Sequence, residues 1–321
     1  MRSGGIAGRP RERRVDACSV LALAVFTLLS MPIVDSERNI GNTVSIMSIH
    51  FTTGSQFMNI DGLRMHYKRA GRGPALLLLH GTTSSLEHFD RASAILQKSF
   101  DVIRPDLAGF GLTGPRPHGD YRVVTYAATM AQFMKKLNIP RYAVAGNSLG
   151  GNVAWNLALD YPERLRALVL VNATGYPEKS LPVGMRLARN PVVRPLMRAW
   201  MPRRMVERGL QQAVGPHSTI VDDAMVARVH HLWNQPGNRS AFVDFVNTDQ
   251  PDRSAEITRI TVPTLVLRSA GIDGQHFARD IPGSREAIHP DGGHLLPEED
   301  PVWFADQVTT FLDGLTDKDV S

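Results

Sequence analysis

Arg141-Tyr142-Ala143-Val144-Ala145-Gly146-Asn147-Ser148-Leu149-Gly150-Gly151-Asn152 is the stretch on which the reading of this chain turns. Arg141 to Ala145 is short and apolar, as a strand buried on both faces should be. It runs into Gly146-Asn147-Ser148-Leu149-Gly150, a G-x-S-x-G pattern. Asn152 to Leu159 then has helical spacing, closed by Tyr161-Pro162. With 27 glycines in 321 residues the five-residue pattern alone says little. Between a strand and a helix it says much more. The glycines permit a sharp, strained turn that lifts a serine hydroxyl clear of the sheet and over a helix N-terminus.

The same rhythm extends outward on both sides. Ala75 to Leu79 reads as a buried strand ending at His80-Gly81, and Val102-Ile103-Arg104 as another ending at Pro105-Asp106. Thr125 to Leu137 has the spacing of a helix, and Leu168 to Val171 is again a strand. Strands alternating with helices imply an α/β fold with a mostly parallel central sheet flanked by helices. Upstream, Phe57 to Ile60 and Leu63 to Lys68 flank Asp61-Gly62, the signature of a hairpin. The rhythm stops after Tyr176-Pro177. From 177 to 256 the chain offers helical pieces (Met185 to Arg189, Met197 to Leu210, Asp222 to Trp233) and no clear strand. Strands return at Val262 to Leu267 and Glu286 to Ile288, followed by a helix from Val302 to Leu312. The expected layout is a core in two parts, 55–176 and 257–321, interrupted by a helical cap over 177–256.

The N-terminus has a different character. Arg2, Arg9, Arg11, Arg13 and Arg14 precede an uncharged, mostly apolar run from Ala17 to Val34. This fits an export signal or signal anchor over residues 1–36, followed by a polar linker over 37–54. The basic flank would stay cytoplasmic, so the expectation is a membrane-anchored or exported protein, with the folded part extracytoplasmic. Translation from Met47 or Met58 would instead leave it cytoplasmic. The net charge of +5 is partly local to this flank, and no basic stretch is interleaved with aromatics, which argues against nucleic acid as a partner. A single cysteine, Cys18, excludes an intrachain disulfide and a multi-cysteine zinc site. Neither a metal nor an organic cofactor is indicated.

A serine nucleophile needs an adjacent base. Among eleven histidines, His294 is best placed, in Asp291-Gly292-Gly293-His294 between the last strand and the last helix. His289 abuts the strand, and His230 and His231 fall in a helical piece of the cap. His80-Gly81-Thr82-Thr83 follows the first buried strand. A backbone N–H there, that of Thr82, can join that of Leu149 to hold an oxyanion. The acid should follow the strand Thr264 to Leu267, where Asp273 is the only carboxylate in the loop. The alternative position, after the preceding strand, offers Asn172, which carries no charge.

On these residues the chain resembles the α/β-hydrolase fold family, from about Phe57 to Leu312. The resemblance is carried by His80-Gly81, by Asp106-Leu107-Ala108-Gly109-Phe110-Gly111, by the elbow Gly146 to Gly151 and by Gly293-His294. Within that family, Asp106 to Pro115 and Val171 to Pro177 resemble bacterial members with an N-terminal apolar anchor and a helical cap. The resemblance implies Ser148 as nucleophile, His294 as base and oxyanion donors at Thr82 and Leu149. It departs at the acid. Relatives usually show Trp-Gly-x-x-Asp where this chain has Arg268-Ser269-Ala270-Gly271-Ile272-Asp273. Either Asp273 has shifted into the role or the usual acid is deleted.

The expected function is therefore a serine hydrolase acting by acyl transfer on a small ester or related carbonyl substrate. A serine at the elbow argues against dehalogenase or epoxide hydrolase chemistry, since those relatives use aspartate there. Hydrolysis of a carbon–carbon bond with the same residues stays open, as does a catalytically impaired binding protein on the same scaffold.

Overall fold

The computed structural model describes residues 53–177, 182–272 and 275–315. The chain divides into two units, 1–51 and 52–321, and the described residues belong to the second. The expected signal or anchor at 1–36 and nearly all of the linker lie outside them. Among the described residues no helix is long and apolar enough to cross a membrane.

Asp61 and Gly62 take φ of 50° and 84°, the paired positive values a two-residue hairpin turn demands. They join β1 (Gln56–Ile60) to β2 (Leu63–Ala70), with Ile60 opposite Leu63. β3 (Ala75–Leu79), β4 (Asp101–Pro105), β5 (Tyr142–Asn147), β6 (Leu165–Val171), β7 (Thr264–Ser269) and β8 (Arg285–His289) complete one eight-stranded sheet. Its order is β1-β2-β4-β3-β5-β6-β7-β8, and β2 runs antiparallel to both of its neighbours. The pairs from β4 onward are parallel.

The central strands read as unbroken apolar runs because both faces are covered. Leu77 and Leu79 enter one buried cluster and Leu76 and Leu78 the other, as the two-residue period of a strand requires. The first cluster is closed by α2 (Val123–Lys136) and α3 (Leu149–Asp160), the second by α1 (Asp90–Leu96) and α11 (Pro301–Asp313). Two short helices, α9 (Phe277–Asp280) and α10 (Leu296–Glu299), lie on either side of β8 in the chain.

Between β6 and β7 the described residues form five helices: α4 (Val183–Arg189), α5 (Arg194–Ala199), α6 (Arg203–Ala213), α7 (Asp223–Trp233) and α8 (Asn238–Asn247). The single helix expected over Met197 to Leu210 is in fact two. Pro202 cannot donate the backbone hydrogen bond a helix interior needs, and it stands instead as the N-cap of α6. Asp222 caps α7 by accepting from the Met225 N–H at 2.7 Å.

Glycine at 150 is dictated by space. A Cβ there would sit 2.0 Å from the Leu79 carbonyl oxygen, and backbone of a central strand has nowhere to go. Gly150→Ala is expected to cost at least about 2 kcal/mol in denaturant unfolding. Gly209, inside α6 with open space around it, provides the contrast. Gly209→Ala should raise stability by up to about 1 kcal/mol.

Candidate active site

β5 ends at Asn147 and α3 begins at Leu149, so Ser148 makes the turn alone. It does so at φ 55°, ψ −113°, a sparsely populated region for a residue with a Cβ and costly by about 1–3 kcal/mol. The surroundings hold it there. The Ser148 N–H donates to the Val171 carbonyl at 3.0 Å, and its own carbonyl accepts from the N–H groups of Asn152 at 3.0 Å and Thr174 at 3.3 Å. The elbow glycines thus have a role other than bending the chain. A Cβ at Gly146 would lie 2.2 Å from the Gly150 carbonyl oxygen, and one at Gly81 only 3.1 Å from the Ser148 Cβ. They let backbone come close while the serine itself takes the strained angles.

The segment after β3 passes directly beside this turn. Its His80 is fully buried, and the Leu107 N–H donates to Nε2 at 2.9 Å. The ring proton is thereby placed on Nδ1, which donates to the Gly81 carbonyl at 2.7 Å. His80 is a brace for the loop. Thr82 is half-buried, and neither its N–H nor that of Leu149 donates to another described residue. Leu149 follows the strained serine directly, and Thr82 follows Gly81, whose Cβ position lies 3.1 Å from the Ser148 Cβ.

His294 lies after β8, half-buried, in a loop fixed at several points. Asn147, the residue before the serine, donates through Nδ2 to the His294 carbonyl at 2.9 Å. The Gly293 carbonyl accepts from Ser269 Oγ at 2.7 Å and from Asn172 Nδ2 at 3.0 Å. Asn172 Oδ1 in turn accepts the Ser269 N–H at 2.9 Å. Glu299 bridges the Gly293 N–H at 3.0 Å and the Gly215 N–H at 2.7 Å, and the His294 N–H donates to the Ala213 carbonyl at 2.6 Å. The histidine loop is thus tied to the serine elbow on one side and to the end of α6 on the other. Its rival His289 approaches Asp300 at 3.3 Å and stacks edge-on against Trp303, while His230 faces the Met201 carbonyl.

Asp273, the expected acid, lies outside the described residues. Asn172, at the alternative acid position, spends its amide on the histidine loop. Ser269 completes the same clamp. Sequence reading gave neither residue a role, because hydrogen bonds between loops leave no periodic trace. Glu299 and Asn147 went unread for the same reason.

Asp106 was also quoted without a role. Its carboxylate accepts from the Leu86 and Leu112 N–H groups, each at 2.7 Å, and from His66 Nδ1 at 2.7 Å. Burial works to raise its pKa, but the His66 bond and these donors hold it below the usual carboxylate range. Ser55 Oγ meets His66 Nε2 at 2.7 Å, so Ser55, His66 and Asp106 form a hydrogen-bonded serine–histidine–aspartate chain. It fastens the start of β1 to the core, far in sequence from the elbow. Any serine-directed probe must be mapped to a residue for that reason.

A cleft of about 460 Å³ lies between the β1–β2 turn and α2, lined by Arg116, Thr125, Gln132 and Lys135 among others. None of the elbow or histidine-loop residues borders it. A smaller pocket, lined by Thr83, Phe110, Trp233 and Phe242, adjoins the Thr82 turn. Trp233 of α7 donates to the Thr83 carbonyl at 3.2 Å, so helices between β6 and β7 reach the site.

Burial pushes His80 down from 6.5 to about 4. An unfolded chain takes up a proton between those values that folded His80 refuses, so stability is fully present above about pH 6.5 and declines as pH falls toward 4. The full contribution is about 3 kcal/mol. Melting temperature measured from pH 7 to 4.5 should fall, and the fall should be shallower in His80→Gln.

Similarity to known proteins gives the family. The model of the alpha/beta hydrolase fold family matches residues 74–301. An uncharacterized protein of Mycobacterium tuberculosis is 30% identical over 282 residues, covering 80% of this chain and 81% of its own. An uncharacterized hydrolase of Bacillus subtilis is 24% identical, covering 79% of this chain and 96% of its own. The crystal structure of Cfl2 from Burkholderia cenocepacia superimposes with a TM-score of 0.70 at 25% identity, over 80% of this chain and 95% of that one. With a strained serine between β5 and α3, a histidine loop after β8 and a match across more than two thirds of its length, the chain is an enzyme of the alpha/beta hydrolase fold family.

Proposed function

We propose that the protein is a serine hydrolase that cleaves a small ester, or a related carbonyl substrate, through an acyl-enzyme. The observation that carries this is the pairing of a strained Ser148 with the loop of His294, whose carbonyl is held by the neighbouring Asn147 at 2.9 Å. Ser148 Oγ attacks the carbonyl carbon and His294 takes its proton. The oxyanion forms against the N–H groups of Thr82 and Leu149. Collapse expels the alcohol, protonated by His294, and water repeats the sequence to release the acid. Asp273 is the proposed partner of the imidazole.

In this reading the helices between β6 and β7 form a cap that shapes the pocket. The N-terminal run from Ala17 to Val34 is proposed as the membrane address, and fractionation of the intact chain into the soluble pool would contradict it.

A fluorophosphonate probe followed by peptide mapping should label Ser148 and leave Ser55 unmodified. Ser148→Ala and His294→Ala should each lower kcat on p-nitrophenyl acetate by at least about a thousandfold. Labelling that survives in Ser148→Ala would overturn the assignment. Asp273→Asn should cost up to about 10⁴ in kcat if Asp273 orients the imidazole, and an unchanged kcat removes it from the mechanism. Asn172→Ala should lower kcat with little change in KM, because it loosens the loop that carries the base.

A further inference from the structure

Among the described residues, five other than glycine have positive φ. Asp61, Asn138 and Asn172 are of the types that tolerate it, and Ser148 makes the elbow. Thr83, at φ 64°, is the one branched at Cβ, the class for which this region is a true outlier. It follows Thr82 directly in the segment after β3. The Ser84 N–H donates to the Gly81 carbonyl at 3.4 Å, closing a four-residue turn with Thr83 at its third position. Positive φ at that position marks a type II turn, where glycine or asparagine is the usual occupant. A threonine there needs a hold from outside the turn.

That hold comes from α7. Its last residue, Trp233, donates through Nε1 to the Thr83 carbonyl at 3.2 Å, and nothing else among the described residues hydrogen-bonds Thr83. The indole is itself fixed. It packs on Phe242 of α8 with ring centroids 4.9 Å apart. Buried Asn238 donates to the Leu232 carbonyl at 2.8 Å and to the Gly111 carbonyl at 3.0 Å, tying the end of α7 to the segment after β4. The turn that Trp233 steadies controls one peptide group. The Gly81 carbonyl, which accepts from the Ser84 N–H and from His80 Nδ1 at 2.7 Å, shares its peptide with the Thr82 N–H. In a trans peptide the two point in opposite directions, so whatever fixes the oxygen also aims the N–H.

We propose that Trp233 is a positioning residue for the reaction at Ser148: its indole N–H holds Thr83 in the left-handed region and so aims the Thr82 N–H at the oxyanion. This rests on the reading of Ser148 as nucleophile and of Thr82 as an oxyanion donor. The indole need not touch the reacting atoms. Acylation and deacylation both pass through the oxyanion, whereas the bound ester does not carry that charge. Loss of the hold therefore lowers kcat and leaves KM nearly unchanged.

Trp233→Phe keeps a ring against Phe242 and removes the N–H. In the full chain it should lower kcat on p-nitrophenyl acetate by about ten- to a hundredfold, short of what deleting a donor costs, with KM within about twofold. The decisive variant adds Thr83→Gly, since glycine takes positive φ without help. The double variant should regain most of the lost kcat, which it would not if Trp233→Phe had merely loosened the helices. Hydrogen exchange at the Ser84 amide, which the turn protects, should quicken about tenfold in Trp233→Phe and stay as in the native protein in Ser148→Ala. Unchanged Ser84 exchange in Trp233→Phe, an unchanged kcat, or a loss that Thr83→Gly fails to restore each overturns the proposal. Turnover that survives in Ser148→Ala instead removes the nucleophile itself, and Ser84 exchange then tells a failed reading of the serine from a failed hold on the turn.

Discussion

The site depends on a backbone angle at one residue. Ser148 sits at positive φ between β5 and α3, and a side chain in that conformation does not stay there unaided. Its amide is bound by the end of β6, its carbonyl by Asn152 and Thr174, and the strand and helix it joins are among the most buried in the molecule. The sheet supplies the force that keeps the hydroxyl displayed. At Gly146 and Gly150 neighbouring backbone comes too near to tolerate a Cβ, and at Gly81 the Ser148 and Asn147 side chains crowd the same space. The strained serine is held because the rest of the fold is so heavily determined around it.

The second requirement is that a histidine more than a hundred residues downstream be held to the same spot. Three side chains accomplish most of it. Asn147 reaches from the elbow, Asn172 from the end of β6 and Ser269 from the end of β7, all to the carbonyls of residues 293 and 294. Adjacent parallel strands bring these three to one edge of the sheet, which is how positions far apart in sequence come to share a loop.

Much of this was legible beforehand. The elbow, the hairpin at Asp61-Gly62 and the buried runs at Ala75 and Leu168 are local patterns, and local patterns survive in sequence. The helix expected across Met197 to Leu210 was misread because its apolar spacing continues through Pro202, and the imino acid overrides the spacing. The clamp of Asn172, Ser269 and Glu299 could not be read at all. Each is an ordinary polar residue whose partner is chosen by the tertiary fold. Ser269 is instructive, since nothing around it in sequence marks it and in the fold it closes a hydrogen-bonded ring with Asn172 and Gly293.

Glu299 has a wider consequence. Its two oxygens hold Gly215, at the end of α6, and Gly293, beside the histidine, as a single rigid coupling. The adjacent Glu298 is likewise gripped by Arg228 of α7 and by His88. Any displacement of α6 relative to residues 293 and 294 must break these hydrogen bonds. One carboxylate thus makes the segment that carries His294 and the chain just past α6 a single mechanical unit.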